Sequence, residues 1–169
     1  MKENSKRGFI VHELFYEKNW TLPFIITMLT ENRYFSAREI AKAWGVRTSV
    51  VKRGLWWLIK YNLVEKRINE TTKYKLKNAI RSFLKELLSQ LWIQGNKVVI
   101  RKDNIYLLII VRKRKVLVRI ITADIVNKVK EICMAYKGDL NIPAHVSGLS
   151  PKLISTAIKI LRVKGEIKN

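Results

Sequence analysis

Apolar side chains recur every three or four residues in several stretches of this chain, which predicts amphipathic helices. The stretch from Leu22 to Thr30 is almost wholly apolar and predicts a buried helix, with Pro23 in a first turn that tolerates proline. Residues 1–19 mix polar and aromatic side chains. They predict an arm that packs onto the body through Phe9, Ile10 and nearby apolar residues.

Residues 36–62 predict two consecutive helices. Ser36 and Glu39 form a capping-box pattern that opens the first helix, and Gly45 is a natural terminator for it. The second helix follows a short turn with Thr48 or Ser49 as its expected cap. Val51, Leu55 and Leu58 form its buried stripe, and Asn62 ends it. Two strands, 63–68 and 73–76, then flank a polar turn at 69–72 and predict a basic hairpin.

The middle of the chain predicts one helix followed by three strands. The helix is expected over 78–93, with an apolar side that begins at Ile80, and Gly95 ends it. Three β-like runs follow at 98–101, 105–111 and 116–121, and together they predict a three-stranded antiparallel sheet. The second run is apolar on both faces, which is typical of a strand covered on both sides.

The last stretch again predicts helices. Thr122 can cap a helix that Gly138 stops, and Pro143 begins a short helix that ends at Gly148. Ser150 and Pro151 supply the N-cap and first position of a final helix that runs towards Gly165.

The charge balance narrows the classes of partner. The 169 residues include 34 Lys+Arg and 13 Asp+Glu, for a formal net charge of +21, while 48% of residues are hydrophobic. Such a composition predicts a folded body with a positive field that attracts polyanions. Nucleic acid is the favoured partner on charge alone, and an anionic membrane surface or an acidic protein are the alternatives.

The same composition leaves little room for catalysis or metal binding. With one cysteine and two histidines, a disulfide scaffold and an ordinary Cys/His zinc site are excluded. The aspartates lack acidic neighbours at metal-binding spacing, and no Gly-rich phosphate loop is present. We therefore expect no enzyme, catalytic residue, metal or cofactor. We also expect no signal peptide and no membrane association, and hence a cytoplasmic protein.

Residues 36–67 resemble the winged helix-turn-helix superfamily of DNA-binding proteins. The resemblance rests on Ala37-Arg38-Glu39-Ile40-Ala41, Gly45-Val46, Val51, Leu55, Leu58, Asn62 and Leu63-Val64-Glu65-Lys66. Family members usually carry Gly at the position of Asn62 and Ser or Thr at that of Arg47. Residues 22–77 would form this copy, and 123–169 resemble a second copy without a wing.

The resemblance and the patterns together predict an α+β protein with three regions. Residues 1–77 are expected to form the N-terminal arm and winged helix, and 78–121 a central helix plus three-stranded antiparallel sheet. Residues 122–169 are expected to form a C-terminal helix-turn-helix.

The resemblance implies that the second helix enters the major groove of double-stranded DNA. Val50 is also expected on the outward side of that helix. Whether a given side chain meets a base or a phosphate stays open. The predicted DNA-binding residues on this helix are Arg47, Thr48, Ser49, Lys52, Arg53 and Trp56. Those on the wing and a second basic hairpin are Arg67, Lys73, Lys75, Arg112, Lys113, Arg114 and Lys115.

Two questions stay open. Trp56 and Trp57 either stack on bases or a partner, or pack against the arm or the middle region.

The second open question is the function. The function expected is a transcription regulator that binds duplex DNA and can form a homodimer. The alternatives are a plasmid or viral replication or partition initiator with tandem winged helices, and a binding subunit of a polymerase or RNA-processing assembly.

Overall fold

The computed structural model describes residues 2–136 and 147–168, which form a mixed α+β protein with two antiparallel sheets. The α+β class predicted from the sequence is therefore confirmed. The helices are α1 (Lys2–His12), α2 (Leu22–Thr30), α3 (Ala37–Trp44), α4 (Thr48–Lys60), α5 (Asn78–Leu87), α6 (Ala123–Ala135) and α7 (Pro151–Val163). The strands are β1 (Phe35–Ser36), β2 (Val64–Ile68), β3 (Thr72–Leu76), β4 (Leu91–Gln94), β5 (Lys97–Lys102), β6 (Ile105–Arg112) and β7 (Lys115–Thr122).

The chain divides into two compact units. The first unit contains residues 1–87 together with 111–117, and the second contains 88–110 and 118–169. This grouping differs from the three regions expected from the sequence. Helix α5 belongs with the N-terminal unit, and most of the central sheet shares a unit with the C-terminal helices.

The first unit is organised around α2, α3 and α4. The predicted helix from Leu22 to Thr30 is confirmed, with Pro23 in its first turn and six buried residues. Before α3, the Ser36 hydroxyl accepts a hydrogen bond from the Glu39 amide, and the Glu39 carboxylate accepts one from the Ser36 amide, which confirms the capping box. Gly45 ends α3 at φ 63°, a left-handed conformation that glycine adopts without strain.

The N-terminal segment is more regular than the predicted arm. It forms α1, then a π-helical turn at Glu13–Glu17 and a 3₁₀ turn at Asn19–Thr21. Ile10, Leu14 and Phe15 are buried, as expected for a segment that packs onto the body, whereas Phe9 stays exposed.

The small sheet of the first unit has the order β1-β3-β2. Strands β2 and β3 form the predicted hairpin, with Val64 opposite Leu76 and Ile68 opposite Thr72. Asn62 takes φ 60°, a left-handed conformation, between α4 and β2, which confirms that α4 ends there as predicted.

The predicted helix over 78–93 is wrong in its second half. Helix α5 ends at Leu87, and Leu91–Gln94 forms strand β4. Gly95, with φ 57°, and Asn96 make a two-residue connection to β5, with Gln94 opposite Lys97. A short apolar run fits a helix or a strand equally well by periodicity, and here strand pairing across the tight turn decided the outcome.

The large sheet therefore has four strands instead of three, in the order β4-β5-β6-β7. Strand β6 lies inside the sheet, and its residues from Tyr106 to Ile109 are all buried. This confirms the prediction that the run at 105–111 is covered on both faces.

In the second unit, α6 and α7 pack with this sheet around one apolar cluster that includes Leu108, Val129 and Leu161. Thr122 is the N-cap residue of α6, but its side chain makes no capping hydrogen bond. Ser150 caps α7 as predicted, and Pro151 is the first helical residue. The features predicted at Gly138 and at 143–146 lie outside the described residues.

Helix α7 is buried on most of its circumference, with seven of its 13 residues inside. Helix α7 therefore exposes fewer side chains to solvent than α4 does. Separately, no helix in the described part of the chain is both long and apolar enough to cross a membrane.

The close packing of α4 against α2 at Gly54 can be tested by substitution. A Cβ at Gly54 would lie 2.6 Å from Cε2 of Phe24, a side chain that is fully buried. We expect Gly54→Ala to lower the free energy of unfolding by roughly 1–3 kcal/mol, since the packed ring has to shift. Chemical denaturation measures this change.

The matched control is Gly8→Ala in α1, where nothing lies within 4 Å of the added Cβ. This variant should be neutral or more stable by up to about 1 kcal/mol, because alanine favours helix over glycine. Equal effects of the two substitutions would contradict the packing account.

Candidate nucleic-acid interface

Helix α4 presents one apolar face and one mainly cationic face. Val51, Leu55 and Leu58 are fully buried. The exposed side chains recur at intervals of three and four residues and so share the opposite face. They are Ser49, Lys52, Arg53, Trp56 and Lys60.

Two of the expectations for the start of this helix are wrong. Val50, expected to face outward, is only 5% exposed because it lies on the apolar side of α4. Neither Thr48 nor Ser49 is the cap: Arg47 holds the N-cap position in an extended conformation, and the helix begins at Thr48, whose side chain is half-buried. The Arg47 side chain makes no capping hydrogen bond.

The first amide of α4 finds its partner far away in the sequence. The backbone N–H of Arg47 donates to the carbonyl of Lys113 over 2.8 Å, while the Arg47 carbonyl accepts from Val50 over 3.0 Å. The first amides of a helix lack intrahelical acceptors, so this bond meets an intrinsic need of α4. Both residues belong to the first unit.

This bond brings the second basic hairpin to the start of α4. The tip of the β6–β7 hairpin carries Arg112, Lys113, Arg114 and Lys115, all exposed, and Arg47 is exposed as well. The sequence singles out these five cations in two separate places. The structure brings them together. The sequence contains no signal for this contact, because it is a hydrogen bond between backbone atoms that are 66 residues apart.

The β2–β3 hairpin divides its cations between two faces. Arg67 lies opposite Lys73 and Glu65 opposite Lys75 across the strands, so these four side chains share one face of the hairpin and Lys66 lies on the other. The Arg67 guanidinium lies 6.0 Å from the centre of the Tyr34 ring, and the Lys75 ammonium lies 5.7 Å from it. Arg67 and Lys75 therefore gather around Tyr34, while other members of the hairpin line a groove.

That groove, of about 640 Å³, separates the exposed face of α4 from the hairpin. The start of α3 closes one side of it. Four of its lining side chains are cationic: Arg38, Lys52, Lys66 and Lys73. Of the predicted site residues, Thr48, Lys52, Trp56 and Lys73 line this groove.

Sequence reasoning missed Arg38 and Lys66 as groove residues. Side chains alternate between the faces of a strand, so Lys66 falls on the other face from Arg67. The capping box assigns Arg38 only a first-turn position on α3. Strand alternation was the available signal for Lys66.

The carboxylate that lines the groove is already engaged. Glu39 accepts hydrogen bonds from the Ser36 amide over 2.6 Å and from the Arg33 guanidinium over 2.7 Å. These interactions, the amide first, lower the pKa of Glu39 to about 2. The Arg33 side chain also lies over the Phe35 ring at 4.0 Å. Glu39 thus serves the start of α3 and leaves the groove cations dominant.

The two tryptophans of α4 have different surroundings. Trp57 is half-buried, stacks on Tyr61 at 5.8 Å between ring centres, and has the Lys18 ammonium 4.6 Å from its own ring centre. This matches the packing alternative, since Lys18 belongs to the N-terminal segment. Trp56 remains 56% exposed.

No family model matches this chain, and no curated protein or solved structure matches it either. Within residues 2–136 and 147–168, no three His, Cys, Asp or Glu side chains group in a way that could hold a metal ion.

The hydrogen bonds of Glu39 predict a pH dependence. A carboxylate whose folded pKa lies below its ordinary value stabilises the fold above that ordinary value and loses the effect as pH falls towards the folded pKa. Wild type should therefore exceed Glu39→Gln in stability above about pH 5, and the difference should vanish near pH 2. We expect a difference of about 1 kcal/mol or less, because the pair is exposed.

Urea unfolding of both proteins across this pH range measures the difference. Glutamine still fits a capping box, so the variant removes charge and not the cap. A difference that stays constant down to pH 2 would contradict this account of Glu39.

Proposed function

We propose that this chain binds double-stranded DNA through α4 and acts as a transcription regulator. The observation that carries the proposal is the cationic face of α4 beside a groove lined by Arg38, Lys52, Lys66 and Lys73. In this proposal residues 22–77 are a winged helix-turn-helix, with α3 and α4 as its two helices and the β2–β3 hairpin as its wing.

The dimensions of α4 suit a major groove. Its 13 residues make a rod about 20 Å long at 1.5 Å per residue. The major groove of B-DNA, about 12 Å wide, admits a helix and exposes base edges that identify each pair. Ser49, Lys52 and Arg53 would meet those edges or the phosphates beside them.

The groove between α4 and the hairpin suits a sugar-phosphate backbone. A helix inside the major groove has a sugar-phosphate backbone on each side. A protein groove with cations on both walls fits such a backbone. Lys52 lies on one wall, and Lys66 and Lys73 lie on the other. In this arrangement Arg67 and Lys75 act from the face of the wing opposite Lys66.

The tip formed by residues 112–115 would hold phosphates near the start of α4. Its cations are exposed, and its backbone is tied to Arg47. Phosphate binding of this kind fixes the orientation of a protein on duplex DNA without reading its sequence. The tip would therefore contribute affinity and orientation.

Salt dependence tests the electrostatic part of the proposal. If the protein neutralises about 6–10 phosphates, its affinity for duplex DNA should fall roughly 10³–10⁵-fold between about 50 and 200 mM salt. Replacing Lys52 and Arg53 with Ala should weaken binding at least about tenfold. It should also reduce the slope of log affinity against log salt by about one for each phosphate that is no longer neutralised.

Fluorescence anisotropy with labelled duplexes selected from a random pool provides the measurement. The matched control replaces two exposed lysines of the second unit, Lys128 and Lys152, with Ala. This removes the same charge from another surface and should change affinity much less. Absence of a selected duplex, or equal losses in both double variants, would rule out α4 as the binding element.

The tip of the β6–β7 hairpin can be tested without removing its turn. Lys113→Asn combined with Arg114→Gly creates a two-residue sequence that favours tight hairpins and keeps the backbone carbonyl that Arg47 uses. We expect weaker duplex binding for every DNA sequence and a salt slope reduced by up to about two. Sequence preference in the random-pool selection should stay the same.

An altered base preference in this variant would show that the tip reads sequence and would contradict the assigned role. Thermal unfolding followed by circular dichroism checks that the hairpin substitution leaves the fold intact.

A further inference from the structure

Helix α4 leaves a large aromatic ring in water among its cations. Trp56 is 56% exposed and lies between Arg53 and Lys60 along the helix, one turn beyond Lys52. Single exposed apolar side chains are common on protein surfaces, so exposure alone does not mark a site. Trp56 differs in its position, because it lies among the cations of α4 and lines the groove with Lys52.

Neighbouring side chains fix the orientation of the Trp56 ring. Trp56 meets Trp57 edge to face, with 4.7 Å between ring centres and 81° between planes. Trp57 in turn stacks on Tyr61, and the Lys60 ammonium lies 5.3 Å from the Trp56 centre and 4.9 Å from the Trp57 centre. These neighbours fix the orientation of Trp56 while much of its surface stays open.

Charge distinguishes the two ends of this aromatic run. Tyr61, at the far end, hydrogen-bonds Glu13 and lies near Glu17; burial, together with these carboxylates, raises the pKa of Tyr61 to about 12. The Trp56 end has Lys52, Arg53 and Lys60 instead. An anionic chain is therefore attracted more strongly to the Trp56 end than to the Tyr61 end.

An exposed indole flanked by cations matches one chemical class of ligand. Bases inside a duplex are stacked and show only their edges in the grooves. An unpaired base offers its whole face, and proteins that bind single strands combine aromatic platforms with cations along the backbone. An acidic protein segment would satisfy the cations but would not require an exposed indole.

We propose that Trp56 is a stacking platform for an unpaired base of single-stranded nucleic acid, with Lys52, Arg53 and Lys60 holding the adjoining phosphates. This activity goes beyond duplex binding and uses the same face of α4. The protein would then bind a strand that has left the duplex. Tyr61 and Glu13 lie outside this proposed binding surface.

The experiment measures binding of labelled oligo(dT), oligo(rU) and a selected duplex to the full chain at physiological salt. Trp56→Leu keeps apolar bulk but lacks a π face, and should weaken single-strand binding roughly 5- to 150-fold. Trp56→Phe should restore most of the affinity. The control Met134→Ala truncates a side chain that is 70% exposed on α6, in the second unit, and should leave single-strand binding unchanged.

Stacking itself is read from an oligo(dT) that carries one 2-aminopurine. Its fluorescence should be quenched by wild type and Trp56→Phe, and not by Trp56→Leu. Stronger binding of oligo(dT) or of oligo(rU) supports the inference and identifies the strand as DNA or RNA. Unchanged affinity and quenching in Trp56→Leu would overturn it, as would failure of wild type to bind either oligonucleotide.

The two proposals fail in different ways. Binding of oligo(dT) that depends on Trp56, without any selected duplex, would overturn duplex recognition and support the platform. Equal loss of duplex and single-strand binding in Trp56→Leu would overturn the platform, because Trp56 would then serve duplex binding.

Discussion

The close approach of α4 to α2 at Gly54 determines which side chains of α4 reach water. Because the ring of Phe24 occupies the space that a Cβ would need, only the Gly54 side of α4 can come this close to α2. A rotation of about 100° per residue then fixes every other position. Lys52 and Trp56 face outward for the same reason that Leu55 faces inward. The surface chemistry of the helix is thus a consequence of a packing constraint on its hidden side.

The start of α4 also depends on a residue that is distant in the sequence. Helices commonly begin with a local Ser or Thr cap, and Thr48 and Ser49 stand close to the start of α4 in the sequence. The amide of Arg47 is instead satisfied by the Lys113 carbonyl. A helix start that needs a distant hairpin ties the position of four cations to the position of α4. The proposed duplex binding draws on this arrangement, because the cations of the tip would hold phosphates near the start of α4.

Local rules predicted much of the fold. The capping box at Ser36, the αL endings at Gly45 and Asn62, and the covered strand at 105–111 depend on neighbouring residues and were confirmed. Strand Leu91–Gln94 was mistaken for helix because its apolar spacing fits both states, and pairing with β5 made the choice. The groove was only half predictable, since bringing Lys66 opposite α4 depends on tertiary packing.

The assignment of residues 111–117 to the first unit has a consequence for dissecting the molecule. A fragment that stops after Leu87 would lack both the acceptor of the Arg47 amide and four exposed cations. Residues 1–87 alone therefore do not contain the whole first unit. A shortened version would have to carry the hairpin tip on a grafted linker, and in evolution neither unit could be exchanged without cutting through two neighbouring strands.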